Sequence, residues 1–169
     1  KRAKVAVKKR QHFTPRKPMF IRRPVLAQLL ACTSGSGDVA LGMLFLVSYV
    51  FLLRVPSEAL PMVTVGGGGI DAHGEQSIIY LADGMVHLKL AKRKNRMKGS
   101  LLKRSCWCKS CKATCPVHVL WEYMSSLPPG TRPFEKISAD RVLSSLKSFF
   151  KCLKVPEHDQ HRTHDFRRG

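Results

Sequence analysis

The chain has 169 residues, of which 44% are hydrophobic, so it suits one ordinary domain with a buried core. Thirty Lys and Arg residues stand against eleven Asp and Glu residues, a formal net charge of +19. This excess argues against an enzyme for small neutral substrates and favours a polyanionic partner. The basic residues form two blocks rather than a stripe along one amphipathic helix, which favours nucleic acid over a membrane surface.

Residues 1–23 form the first basic block, with ten Lys or Arg residues and no acidic residue. Pro15 and Pro18 interrupt any helix here, so we predict a basic arm or linker. Such an arm can follow phosphates, serve as a nuclear-import tract or remain a solvated tail. Residues 24–169 are the predicted folded domain.

Two helices are predicted next. Pro24 opens a short helix, residues 33–37 form a loop, and Asp38 caps a second helix over residues 39–53. The second helix is apolar almost all round, which predicts a central place in the core. It is shorter than the roughly 20 residues that a membrane span needs, so we expect no membrane partner.

Arg54 lies at the end of this apolar run, where Pro56 is expected to stop the helix. A charged residue held there has a rigid stem and an outward guanidinium group. Glu58, four residues on, can hold a neighbouring cation or the local backbone in place. The alternative is that Arg54 merely forms a salt bridge with Glu58.

Short alternating or β-branched stretches follow, and residues 62–65, 77–81 and 85–90 are read as strands. Asp83-Gly84 predicts a two-residue hairpin, and residues 100–104 are expected to supply the third strand of a small antiparallel sheet. The second basic block lies at the hairpin tip between these last strands and contains Lys92, Arg93, Lys94, Arg96 and Lys98.

A dense group of metal-binding residue types follows the sheet: Cys106, Cys108, Cys111, Cys115 and His118. Four of the five would close a tetrahedral zinc site and leave one over, and such a site would pin the loop before the next helix. The alternative is that free thiols simply fill a loop. Trp107 would be a packing or base-stacking residue.

Two more helices are predicted, one opened by Pro116 and one after Ser138. The expected fold is therefore α+β, a mainly helical domain with a small three-stranded antiparallel sheet. The six cysteines are interpreted as reduced thiols, because residue 1 starts no signal-peptide pattern and a chain of this size folds without disulfides. We expect a nuclear or cytoplasmic protein.

His164 and Arg167 are three residues apart near the end of the sequence. If Thr163 caps a helix that starts at His164, both side chains leave its first turn on one face. Arginine offers five donors in a planar fork, and histidine adds a hydrogen bond or a proton. Such a turn can bind a phosphate. The alternative is an ordinary surface turn.

Arg54-Val55-Pro56-Ser57-Glu58 and His164-Asp165-Phe166-Arg167 together resemble the two conserved boxes of the tyrosine recombinases, or phage integrases. The resemblance covers roughly residues 23–169. It implies a catalytic domain that cleaves and rejoins double-stranded DNA through a 3′-phosphotyrosyl intermediate without a catalytic cofactor, as a homo-oligomer on DNA. It also implies that Arg54 and Arg167 neutralise the reacting phosphate and that His164 acts as donor or acid and base.

The resemblance further implies a lysine acid at the hairpin tip. We prefer Lys94 over Lys92, which would then support it, and Glu58 is a second supporting residue. DNA contacts are expected from the basic residues at and beside this tip: Arg93, Arg96, Lys98, Lys103 and Arg104.

The family's nucleophilic tyrosine follows its His-x-x-Arg box, whereas Tyr49, Tyr80 and Tyr123 all precede it and are better explained by packing. The chain is therefore interpreted either as a piece of a longer enzyme or as a copy that binds without cutting. The competing hypothesis is a non-catalytic, zinc-stabilised nucleic-acid-binding module derived from such an enzyme.

Overall fold

The computed structural model describes residues 19–64, 77–91 and 99–168. These ranges contain helices and one sheet, as the predicted α+β class requires. The helices are α1 (Arg23–Gly35), α2 (Val39–Val50), α3 (Trp121–Ser125) and α4 (Ala139–Cys152). The strands are β1 (Val63–Thr64), β2 (Ile78–Ala82), β3 (Met85–Leu90) and β4 (Ser100–Arg104). Single turns of 3₁₀ or π helix connect them.

Helix α1 extends to Gly35, into the segment predicted as a loop. The Thr33 hydroxyl donates to the Leu30 carbonyl at 3.0 Å, so it stays within the helical turn. A Cβ atom at Gly42 of α2 would overlap the Thr33 side chain, which shows how closely the two helices approach. Tertiary packing therefore keeps the last turn of α1 helical.

Helix α2 is the centre of the core, and nine of its twelve residues are buried. It ends at Val50 rather than at residue 53, because Leu52 has a positive φ of 55° that no helix accommodates. The predicted role of Pro56 in ending the helix is therefore wrong. Asp38 does occupy the N-cap position, but its side chain makes no cap bond and instead pairs with Arg141 of α4 at 2.6 Å.

The sheet has four strands in the order β1-β2-β3-β4, and β1 runs parallel to β2. The three expected strands are antiparallel, and Asp83 and Gly84 form their hairpin turn with φ of 51° and 68°. The prediction of a purely antiparallel three-stranded sheet is wrong in this detail. Strand β1 is held by a residue distant in the sequence, because Thr64 donates its N–H to the Thr131 carbonyl at 2.9 Å.

Helix α4 packs against α1 and buries a face of Val142, Leu146 and Phe150. The Ser138 hydroxyl caps it, accepting a hydrogen bond from the Arg141 N–H at 3.2 Å. Across the described ranges, the helices lack the combination of length and apolar character that crossing a lipid bilayer demands.

Candidate functional site

Arg54 lies four residues beyond the end of α2 and leads into a π-helical turn, Val55–Ala59. The wide turn is closed by the Ala59 N–H donating to the Arg54 carbonyl at 3.2 Å and the Leu60 N–H donating to Val55 at 3.0 Å. We call this segment the Glu58 turn. It places the Glu58 carboxylate, only 2% exposed, beneath the Arg54 backbone.

Glu58 holds Arg54 at two points. Its Oε2 accepts the Arg54 backbone N–H at 2.8 Å, and its Oε1 lies 3.7 Å from the Arg54 Nη1. The first contact satisfies an N–H that the turn itself leaves without a partner, as the acidic half of a capping box does. The second is longer than a hydrogen bond, so it orients the guanidinium group without enclosing it, and the Arg54 side chain as a whole is 24% exposed. The predicted supporting role of Glu58 therefore has a geometric basis.

His164 and Arg167 lie on a 3₁₀ turn, Thr163–Arg168, which we call the His164 turn. Residues three apart eclipse each other in such a turn, so the two side chains leave it on the same side. His164 is exposed and Arg167 is half-buried. The expectation that Thr163 caps the turn is wrong, because Thr163 is its first residue and the Arg162 N–H is capped by Asp165 at 2.8 Å.

Two buried side chains that the sequence did not single out as a pair stabilise the His164 turn. Asp165 is fully buried, and its Oδ2 lies 3.3 Å from the Nδ1 atom of His161, which is 3% exposed. The His161 ring in turn meets Phe150 edge-on at 4.5 Å. The four-residue spacing of His161 and Asp165 could have suggested that the two side chains meet. The sequence alone does not show that both are buried.

Both turns are attached to α2. Arg54 follows the last residue of that helix by four positions, and Phe166 of the His164 turn stacks on Phe45 of the same helix at 5.3 Å. One rigid, buried helix thus supports both arginine-bearing segments. Convergence of Arg54 and Arg167 on one phosphate stays a prediction.

The predicted hairpin-tip residues lie outside the described residues: Lys92, Arg93, Lys94, Arg96 and Lys98. Lys103 is exposed on β4. Arg104 has a structural task, since its Nε donates to the Val50 carbonyl at the end of α2 at 2.8 Å and its guanidinium lies over the Phe51 ring at 5.6 Å. A DNA contact by Lys103 or Arg104 stays a prediction.

Four of the five predicted metal ligands come together: Cys106, Cys108, Cys115 and His118. Their ligand atoms all lie within 4.8 Å of one another. The Cys108 Sγ is 3.1 Å from the His118 Nδ1, and the Cys106 and Cys115 sulfurs are 3.6 Å apart. Tetrahedral zinc–thiolate bonds would place two sulfurs about 3.8 Å apart. The cluster is thus of the right size to hold a metal ion, and Cys111 is the residue left over.

The thiols of this cluster differ in acidity. Burial raises the pKa of Cys115, but hydrogen bonds from His118 and from the Trp107 backbone outweigh it and lower the pKa to about 6. Burial, together with the neighbouring Cys115 and Cys106 thiols, raises the pKa of Cys108 to about 12. The lowered pKa favours the thiolate at Cys115, which is the form that binds metal.

The loop that carries the cluster is tied to α1 through Trp107. Its indole N–H donates to the Thr114 carbonyl at 2.7 Å, and the Arg23 guanidinium lies 4.8 Å from its ring centroid. Arg23 also donates to the Ser110 hydroxyl at 2.9 Å. Of its two predicted roles, Trp107 has the packing role in this structure.

The three tyrosines have packing environments, as predicted. Tyr49 and Tyr123 lie against the core, and Tyr80 meets the His87 ring at 5.1 Å. Burial, followed by the nearby charge of Asp38, raises the pKa of Tyr123. These side chains belong to the scaffold around the two turns.

The functional assignment therefore depends on the two arginine-bearing turns and on the metal cluster. Comparison of the chain with protein-family models, with curated proteins and with solved structures gives no match.

Proposed function

We propose that this chain is a DNA strand-transfer domain of the tyrosine recombinase type. The observation that carries the proposal is that Arg54 and the His164 turn are both attached to α2 and are each braced by a buried carboxylate. Such bracing fixes cationic groups before a substrate arrives, which is what stabilisation of a charged transition state requires.

The proposed chemistry is transfer of a DNA phosphodiester without a catalytic metal. Arg54 and Arg167 neutralise the charge that builds on the non-bridging oxygens, and His164 donates a hydrogen bond or moves a proton. Lys94, or Lys92 in its place, protonates the departing 5′-oxygen, which leaves as a 5′-hydroxyl. The resemblance implies that the nucleophile is a tyrosine. It would conserve the energy of the phosphodiester in a 3′-phosphotyrosyl bond.

We also propose that the Cys106, Cys108, Cys115 and His118 cluster binds zinc. Three thiolates and one imidazole are a ligand set typical of structural zinc, and a closed set of four protein ligands leaves no position for substrate. The zinc would tie the end of β4 to the start of the segment that leads into α3. Its role here is structural, and it takes no part in the transfer.

The second candidate is a non-catalytic nucleic-acid-binding module held together by this metal site. The observations in its favour are the net charge of +19 and the Cys106, Cys108, Cys115 and His118 cluster. Both are equally useful to a protein that only binds nucleic acid. The two candidates differ in whether the arginines lower the barrier to phosphodiester transfer.

That difference can be measured on this chain with an activated substrate. DNA carrying a 3′-terminal p-nitrophenyl phosphate diester needs no acid, because p-nitrophenolate is a good leaving group. An added alcohol supplies the nucleophile: its oxygen bonds to phosphorus, the phosphorus–nitrophenoxy bond breaks, and buffer takes the alcohol proton. We expect the chain to accelerate nitrophenolate release from bound DNA.

Arg54→Ala and Arg167→Ala should each lower this rate by about 10²- to 10³-fold, the usual effect of removing one donor to a developing oxyanion. The matched control is Arg141→Ala, which removes a 49%-exposed arginine of α4 that pairs with Asp38. Its rate should stay at the wild-type value. DNA binding without any acceleration would favour the module, and acceleration that survives both arginine changes would contradict the proposed site.

A further inference from the structure

Asp165 is an unusual residue for the position it occupies. It lies between the exposed His164 and the core residue Phe166, and it is a fully buried acid in a strongly basic protein. Moving a carboxylate out of water is costly, and well-packed apolar groups often stabilise a fold as well as a buried ion pair does. Its presence therefore calls for a reason other than stability alone.

The contacts of Asp165 show what it organises. Its Oδ2 accepts the Arg162 backbone N–H at 2.8 Å, just before the His164 turn, and also faces the His161 Nδ1 at 3.3 Å. His161 is held by its edge-on contact with Phe150 of α4. The next residue, Phe166, is stacked on Phe45 of α2. The turn is thus fastened to two helices through the residues beside His164 and Arg167.

The Glu58 turn uses the same arrangement. Glu58 is also a buried acid, and it too accepts the backbone N–H of an arginine, Arg54, that directly precedes its turn. The two segments that bear the proposed phosphate ligands therefore share one device, although they are far apart in sequence. In each, a buried carboxylate reaches back to the start of its own turn and fixes its geometry.

We propose that Asp165, oriented by His161, is a positioning residue for His164 and Arg167. This inference rests on the proposed function, because it concerns the presentation of those two side chains to a DNA phosphate. Without the Asp165 carboxylate the Arg162 N–H loses its acceptor and the first residues of the turn are released. His164 and Arg167 then lose the shared orientation that the 3₁₀ turn imposes.

The experiment uses the nitrophenyl phosphate assay with Asp165→Asn, Asp165→Ala and His161→Phe. The asparagine oxygen can still accept from Arg162 but carries no charge to face His161. Phenylalanine at residue 161 keeps a ring against Phe150 and removes the contact with Asp165. The control is Asp38→Asn, which makes the same chemical change in the acid that pairs with Arg141.

We expect kcat to fall about 10²-fold in Asp165→Ala, the usual cost of a misplacement of about 1 Å, while KM for DNA stays within about twofold. The kcat values of Asp165→Asn and His161→Phe should lie between those of Asp165→Ala and the wild type. The control should retain the wild-type kcat. A purely structural Asp165 would instead lower the melting temperature and leave kcat of the folded protein unchanged, so melting is recorded on the same samples.

Asp165→Asn or His161→Phe with the wild-type kcat would overturn the inference, and they decide it even if Asp165→Ala does not fold. An equal loss of kcat in Asp38→Asn would overturn it as well, since the effect would not be specific to the His164 turn. A wild-type protein that binds DNA without accelerating nitrophenolate release overturns the proposed function itself, and this inference with it. An active wild type with unaffected Asp165 variants overturns the inference alone.

Discussion

At the scale of single residues, the buried acid Glu58 decides how Arg54 is presented. Its carboxylate is joined to both the backbone and the guanidinium group of Arg54, so the arginine is held from below while one side stays open to solvent. The ion pair between these residues would not compete with the proposed phosphate binding, because the 3.7 Å separation leaves most of the five guanidinium donors uncommitted to Glu58.

This arrangement predicts a stability difference between two Glu58 variants. Glu58→Ala leaves the Arg54 N–H without an acceptor and should lower the free energy of unfolding by about 1–3 kcal/mol. Glu58→Gln keeps an acceptor oxygen and should lose less. Urea denaturation measures both. Equal stabilities of Glu58→Ala and the wild type would show that the bond from Arg54 contributes nothing to the fold.

Sequence patterns were sufficient to single out four residues for two different reasons. Arg54 and Glu58 stand at the end of an apolar run, whereas His164 and Arg167 were identified by their three-residue spacing and the resemblance to a recombinase box. Asp165 and His161 did not stand out, since an acid among basic residues near the end of a sequence reads as a surface residue. Their role depends on burial: His161 packs edge-on against Phe150, and Phe166, next to Asp165, stacks on Phe45. That burial arises only when distant helices pack together.

At the scale of elements, local chemistry was predictable and distant pairing was not. Asp83-Gly84 specifies its own hairpin, because both residues accept positive φ. Strand β1 is only two residues long and is set by the Thr131 and Pro128 carbonyls beyond α3. Helix α1 likewise extends into a segment whose local sequence predicts a loop, because Thr33 packs against Gly42. Neither feature is encoded within the segment that shows it.

The cluster of Cys106, Cys108, Cys115 and His118 lies between β4 and α3, and the proposed zinc site predicts a contrast between two cysteines. Cys108→Ser should reduce bound zinc and lower the melting temperature, because binding of a structural zinc is coupled to folding. Cys111→Ser is the matched control. It should keep the wild-type zinc content and melting temperature, since Cys111 lies outside the cluster. Metal analysis and thermal unfolding of the purified variants measure the two effects.

Chelation of the wild type should reproduce the loss seen in Cys108→Ser. Less than about half an equivalent of zinc, together with a melting temperature that chelator does not change, would exclude a structural zinc site. Equal losses in Cys108→Ser and Cys111→Ser would show that the ligand set differs from the four residues assigned here.

At the scale of the whole molecule, the net charge determines what the proposed binding of DNA should look like. The net charge of +19 predicts duplex binding that is largely independent of sequence and falls steeply with salt, because each neutralised phosphate releases counterions. Affinity measured between about 50 and 200 mM salt should drop by about 10³-fold or more if six or more phosphates are contacted. A flat dependence of log affinity on log salt would contradict a polyanionic partner.

The central claim is that the two turns on α2 act on one phosphate, and a double-variant cycle in the nitrophenyl phosphate assay tests it most directly. If Arg54 and Arg167 act as a unit, losing one already disables the site. The Arg54→Ala/Arg167→Ala protein should then be about as slow as the slower single variant. Rate losses that multiply in the double variant would mean that the two arginines act independently, and would contradict a shared phosphate site.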